Sequence, residues 1–276
     1  MPSLWVSLLY RPAPRTAFPK VPDSPTREQA EKALEKVRHV VRGIMFDGKK
    51  RMGDRTATDA ESVWLAAVLT AIIRGSIPTA PLFGFSAPTK GSGKTLAADL
   101  VGIIATGNDI PAMSIPDSEE ELRKTLFSSL LAGDEVVLLD NVKAGVPLKS
   151  DALNAILTKS SYGGRVLGAS TILTVPVVTT FLATGNNFSV DEDLRRRTLV
   201  CHIDPLIENP DQRRFDWDAR VETRANRGEL VAAVLIIIRA FMSAKEAGDP
   251  TTNLELVPYG SFENWDALVR YPASRP

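Results

Sequence analysis

The sequence predicts an α/β fold. It should hold a mostly parallel five-stranded sheet with helices on both faces, a helical extension before it and a helical lid after it. Three observations lead there. Leu82 to Phe85 is a short apolar run bounded by Pro81 and Pro88, the mark of a buried strand. A glycine-rich turn follows, and then Leu96, Ala97, Leu100, Val101 and Ile104 fall at helical spacing, with Gly107-Asn108 as the stop. From there to Ile203, apolar strands and helices alternate. Such alternation needs crossover connections and therefore parallel pairing.

The elements follow in order. Residues 1–25 carry Pro2, Pro12, Pro14, Pro19, Pro22 and Pro25 and read as an extended linker, which suggests a join to an upstream module. The start, from Met1, is briefly apolar but has no basic leader and no cleavage site, so it is not read as a signal peptide. Residues 26–79 form the extension. One helix runs from Thr26, with Gln29 as its capping partner, to about Val41; a basic loop spans Gly48 to Arg55; a second helix spans Asp59 to Arg74. Trp64 is expected in the core and His39 at the surface. Residues 80–205 form the sheet unit. Its later strands are Ile110–Ile115, Glu135–Asp140, Thr174–Ala183 and Thr198–Ile203, and His202 is read as structural. Ser118 and Glu121 are spaced as a capping box for a helix through Leu131. Ser150 caps a helix through Lys159, Gly163–Ser170 is a hairpin tip, and Asp191–Arg197 is a short helix. Residues 206–276 form the lid, with its longest helix from about Glu229 to Ala244. The tail from Gly260 looks like the start of a packed element without enough apolar residues to close it, as in a shortened version of a longer chain.

Composition narrows the function. Lys plus Arg and Asp plus Glu each number 33, so formal net charge is zero and any nucleic-acid contact must be local. The single cysteine, Cys201, excludes a disulfide framework and suits a reducing cytoplasm. The longest apolar run, Leu230 to Ile238, is too short to span a bilayer.

The turn after the first strand is Gly91-Ser-Gly-Lys-Thr95, the end of a phosphate-binding loop pattern. Glycines at 91 and 93 let bare backbone N–H groups approach phosphate oxygens, and the helix opening at Lys94 points its positive end at the same anion. Lys94 would reach the β and γ phosphates of ATP, and the Thr95 hydroxyl would ligate Mg2+. Thr89, Lys90, Gly91, Ser92, Gly93, Lys94, Thr95 and Leu96 form the candidate cradle. The full pattern has Gly where this chain has Pro88, a departure. Asp140 ends an apolar strand two strands after the loop, the position from which a carboxylate holds the metal with Thr95.

Four segments in this order, Gly91–Thr95, Leu138-Leu-Asp-Asn141, Ala183-Thr-Gly-Asn-Asn187 and Asp193-Leu-Arg-Arg-Arg197, resemble AAA+ P-loop ATPases. Within them, the wording is similar to the superfamily-three-like helicase ATPases of phages and integrated mobile elements. The resemblance covers roughly residues 26–270 and implies further roles. Asn186 or Asn187 would be the sensor-1 residue, on a strand lying between those that lead to Lys94 and Asp140. One of Arg195, Arg196 and Arg197 would be an arginine finger reaching a neighbouring subunit's ATP. Arg227 would be the lid's sensor-2 arginine. Arg165 and Lys159, on or beside the hairpin, would touch single-stranded DNA inside a ring. Where such enzymes carry a general-base Glu after the metal Asp, this chain has Asn141, whose amide cannot accept a proton; Glu119 or Glu120 are the substitutes nearest in the pattern, and slow turnover is expected.

The first functional expectation is therefore an ATP- and Mg2+-dependent motor, a hexameric ring translocating on DNA in replication of a phage or mobile element, with an upstream primase-like module. The second is a nucleotide-switched assembly or loading protein with weak hydrolysis. A small-molecule P-loop kinase is a third, and it leaves Asn186 and the arginines unexplained.

Overall fold

The structure is a computed structural model. It describes residues 17–49, 58–166, 168, 171–207, 210–253 and 255–274. The chain's first sixteen residues, most of the basic loop and three residues of the hairpin tip lie outside these.

The extension supplies α1 (Arg27–His39) and α2 (Asp59–Ile73). Thr26 and Gln29 close the expected capping box on α1. The sheet unit then runs β1 (Leu82–Ala87), α3 (Lys94–Thr106), β2 (Ala112–Ser114), α4 (Glu119–Ala132), β3 (Val136–Val142) and α5 (Asp151–Leu157). It continues with β4 (Ser161–Arg165), β5 (Ile172–Pro176), β6 (Thr180–Asn186), α6 (Glu192–Arg195) and β7 (Thr198–His202). The lid holds α7 (Ala219–Ala225) and α8 (Arg227–Glu246).

Five strands pair in the order β2-β3-β6-β1-β7, every neighbour parallel. Alternate residues of each strand face opposite layers. Phe83, Phe85, Leu138 and Leu182 join the cluster under α1, α2, α3 and α8, whereas Leu82, Leu139, Phe181 and Ala183 join the one under α4 and α5. This is an α/β fold whose parallel sheet is covered on both faces. The larger cluster draws on the extension, the sheet unit and the lid alike, from Ala33 to Ala273, so the three sequence segments share one core. Among the described residues no helix is long and apolar enough to cross a membrane.

Several local expectations are corrected. The strand predicted over 174–183 is two strands. β5 pairs antiparallel with β4 in a separate hairpin, and β6 enters the parallel sheet only after a break at 177–179. Pro176 has no N–H with which to continue a ladder. The buried Arg74 then anchors the chain: its Nε donates to the Thr179 carbonyl and its Nη1 to that of Ile77. Burial pushes the Arg74 pKa down to about 10, which still leaves it charged at neutral pH.

The capping box on α4 does not form, because Ser118 makes no side-chain cap. The Glu119 carboxylate instead accepts from the Ala152 N–H (2.8 Å) and the Ser150 hydroxyl (3.1 Å), capping α5. The tail also closes onto the core. Residues 263–274 are helical, and Phe262, Trp265 and Val269 are fully buried. The Trp265 indole donates to the Thr70 hydroxyl at 2.8 Å. Of the proline-rich stretch, residues 21–25 pack on α8: Pro25 is buried, and Arg239 donates to the Pro22 carbonyl at 3.0 Å.

Candidate functional site

Strand β1 ends at Ala87 and the chain turns through Pro88 into residues 89–93. Gly91 (φ 73°) and Gly93 (φ 98°) both lie in the left-handed region, which a side chain would disfavour. The buried Ser92 ties the turn together, its hydroxyl donating to the Thr89 carbonyl at 2.7 Å and lying 3.1 Å from the Thr89 hydroxyl. Gly93 is the N-cap of α3 and offers no side chain to its first N–H groups, so these donors face outward with the helix dipole behind them. The Trp64 indole, in the core as expected, donates to the Ala97 carbonyl and fixes the helix's first turn. Leu96 packs into the main core, while Thr89, Lys90 and Thr95 are exposed. The arrangement gathers backbone donors at a helix N-terminus, the kind of place where proteins bind anions.

Lys94 donates across the turn to the Thr89 carbonyl at 2.9 Å. Burial lowers its pKa, and the negative field of Asp140 raises it in part, so the two groups lie within electrostatic reach. Asp140 stands near the end of β3, where the register with β6 slips between Leu139 and Val142. That irregularity leaves Asn141 exposed, in the left-handed conformation at φ 60°. Asparagine tolerates it better than most residues.

Thr184 organises this corner, and sequence reasoning gave it no role. Fully enclosed in β6, its hydroxyl donates to the Asp140 carboxylate in a very short bond and accepts the Asn141 N–H at 3.1 Å. The available signal was a hydroxyl residue set inside the otherwise apolar run Phe181–Ala183. Thr184→Val keeps the shape but leaves the part-buried Asn141 N–H and an Asp140 carboxylate oxygen short of a partner. It is expected to lower unfolding free energy by roughly 1–3 kcal/mol, read as an earlier urea midpoint at unchanged slope.

Asn186 is the last residue of β6 and pairs in register with Ala87, directly before the turn. β6 lies between β1 and β3, the order the resemblance implied. Asn187 follows at φ 47°, its N–H donating to the Ala87 carbonyl. Gly185 admits no side chain, because a Cβ would stand 3.0 Å from the Val142 carbonyl oxygen. The ends of β1, β3 and β6 are thus packed backbone to backbone. Lys94, Asp140 and Asn186 come to the same edge of the sheet.

The arginines separate by environment. Arg195 and Arg196 are exposed, Arg196 only 3.9 Å from Asp193. Arg197 is held within its own subunit, donating to the Asn154 side-chain oxygen (3.0 Å) and the Asp193 carbonyl (2.5 Å). Arg227 cannot be a phosphate sensor in this arrangement. It donates to the carbonyls of Ile104 and Ala105 at the far end of α3, roughly 15 Å along the axis from Lys94. The lid arginine nearer the site is Arg220, paired with Asp99 on the second turn of α3. Burial raises the Asp99 carboxyl, and Arg220 opposes that shift. The two substitute bases are also occupied: Glu119 caps α5, and Glu120 is exposed and paired with Lys124, which lowers its carboxyl. Lys159 and Arg165 are both exposed, at either side of the start of the β4–β5 hairpin, and the hairpin is seated by the Phe127 ring under Gly164.

No family model matches the chain, and no curated protein matches it. The chain is similar to solved helicase structures. A JCV helicase structure shares 16% identity, with 85% of this chain and 70% of that one covered, at a TM-score of 0.34. The NrS-1 C-terminal region, also 16% identical, is covered over 45% of its length by 76% of this chain, at a TM-score of 0.41. None of these likenesses is close enough to carry a residue role.

Proposed function

We propose that this chain binds ATP with Mg2+ at the Gly91–Thr95 turn and hydrolyses it as the motor unit of a ring that moves on single-stranded DNA. The observation that carries it is the convergence of Lys94, Asp140 and Asn186 at the ends of three adjacent parallel strands. Ligands of open parallel sheets sit at that edge. In this reading the turn's N–H groups and the Lys94 ammonium hold the β and γ phosphates. The Thr95 hydroxyl and Asp140 are the protein's oxygen ligands for the cation. The cation, if bound there, would take its remaining ligands from phosphate oxygens and water. When bound, the ion neutralises charge that develops on the phosphates. Asn186 orients the attacking water by its amide. Arg196, 72% exposed and held by a loose 3.9 Å ion pair with the exposed Asp193, is the better choice than Arg197 for reaching a neighbour's site. Lys159 and Arg165 carry the phosphate contacts to DNA, multiplied around the ring.

A second reading, a nucleotide-switched assembly or loading protein that hydrolyses poorly, draws on a specific observation. Asn141 supplies no base, and Glu119 and Glu120 are engaged elsewhere.

Light scattering with and without a non-hydrolysable ATP analogue, followed by ATPase assays with and without single-stranded DNA, separates them. The motor requires nucleotide-dependent assembly and DNA-stimulated turnover. Assembly without stimulation favours the switch, and nucleotide binding by a strict monomer overturns both.

A further inference from the structure

Arg213, Phe215 and Trp217, between β7 and α7, have no part in the function proposed above, yet they lie close to the phosphate turn. The Ile44 side chain stands 3.8 Å from where Gly93 would carry a Cβ. The preceding residue, Gly43, has no room for a Cβ because the rings of Trp217 (2.8 Å) and Phe215 (3.3 Å) occupy that space. From the turn to the rings this path covers roughly 10 Å, the order of distance between a nucleotide's phosphates and its base.

The three side chains differ in how they are held. Trp217 is fixed: the Arg42 guanidinium lies 3.9 Å over its ring and is itself bound to Glu222 at 2.6 Å. Phe215 leans on it, ring centroids 5.3 Å apart and tilted by 57°, and remains 43% exposed. An aromatic ring held rigidly from behind and open in front is a stacking platform. Arg213 donates through Nε to the Pro210 carbonyl, and its guanidinium lies over the Phe215 ring, 5.7 Å from the centroid. The Arg213 Nη1 is buried and has no hydrogen-bond partner among the described residues. A buried donor left empty in this way marks a place where an acceptor belongs.

We infer that Phe215, packed against Trp217 and with the Arg213 guanidinium over its ring, is the subsite for the base of the nucleotide. The inference rests on the proposed phosphate site at Gly91–Thr95 and extends it to what distinguishes a nucleoside triphosphate from a bare triphosphate. Stacking accepts any base, purines best because they offer the larger face. Both purine triphosphates therefore bind, with little discrimination between them.

The test is calorimetric titration of the full chain, with Mg2+, by ATP and by inorganic tripolyphosphate. The wild type is expected to bind ATP about tenfold or more tightly than tripolyphosphate, the contribution of one stacked base. Phe215→Ala should bring ATP close to the tripolyphosphate value and leave tripolyphosphate unchanged. Trp217→Phe, which keeps an aromatic ring against Phe215, should lose a fluorescence change that ATP produces and tripolyphosphate does not. An ATP-to-tripolyphosphate ratio unaffected by Phe215→Ala, in a protein that binds both, overturns the base subsite and leaves the phosphate site standing. If the wild type binds neither, the phosphate site falls and the base subsite with it.

Discussion

Lys94→Ala is expected to weaken MgATP binding by roughly a hundredfold or more while leaving the melting temperature almost unmoved. Removing a charge that meets a desolvated, charged partner costs about 2–5 kcal/mol, and each 1.4 kcal/mol is a tenfold loss of affinity. The protein's own stability draws little on this side chain. Among the described residues its side-chain hydrogen bond is to the Thr89 carbonyl on a part-exposed turn, and burial already disfavours its charge. Ser92, by contrast, holds the turn from inside and stays in place. Calorimetry for the ligand and calorimetric melting for the fold read the two quantities separately. Equal ATP affinity in the variant and the wild type would mean that the phosphates bind elsewhere. A large drop in melting temperature would mean that Lys94 is structural.

The parallel sheet could be read from the chain because its signals are local. A strand, a left-handed glycine turn and a helix occur within twenty-five residues, and the central strands β3 and β6 are built on the apolar runs Val136–Leu139 and Phe181–Ala183. The position of Asn186 followed from the implied strand order, and the sheet has that order. Expectations failed where side chains bond far along the sequence. Ser118 and Glu121 are correctly spaced for a capping box that does not form, and Glu119, a candidate base by its place in the pattern, has Ser150 and Ala152 as its partners. Arg227 opens the longest helix, which made it a candidate for the phosphates, but the open carbonyls of α3's last turn lie nearer and take its donors. Thr184 was hidden because its two partners sit on another strand. The tail was undervalued for a different reason. Counting apolar residues misses that Phe262 and Trp265 each bury a large ring, and that the Trp265 N–H is satisfied by Thr70, a residue 195 positions away.

Asn141→Asp is expected to raise the rate of ATP hydrolysis, and the argument starts from the backbone. Residue 141 is left-handed and exposed, and its N–H is taken by Thr184. Asp is among the residues that accept this conformation, and the substitution leaves that hydrogen bond intact. The new carboxylate would adjoin Asp140, and two neighbouring carboxylates do not both ionise at their ordinary pKa. One is pushed upward, toward the range in which a base takes a proton from water near neutral pH. General-base assistance contributes about 10²–10⁴-fold where it is well placed. Asp is one methylene shorter than Glu, so a gain of roughly tenfold to a hundredfold in kcat with little change in KM is the expected outcome, measured by phosphate release. Asn141→Ala should turn over at the wild-type rate, since the amide it removes accepts no proton. If Asn141→Ala instead collapses turnover and Asn141→Asp gives no gain, the amide is positioning water and the proton leaves by another group. In that case Asp99 is the next carboxylate to replace. It is already raised by burial and, with Asp140 contributing to that shift, lies within electrostatic reach of the metal carboxylate.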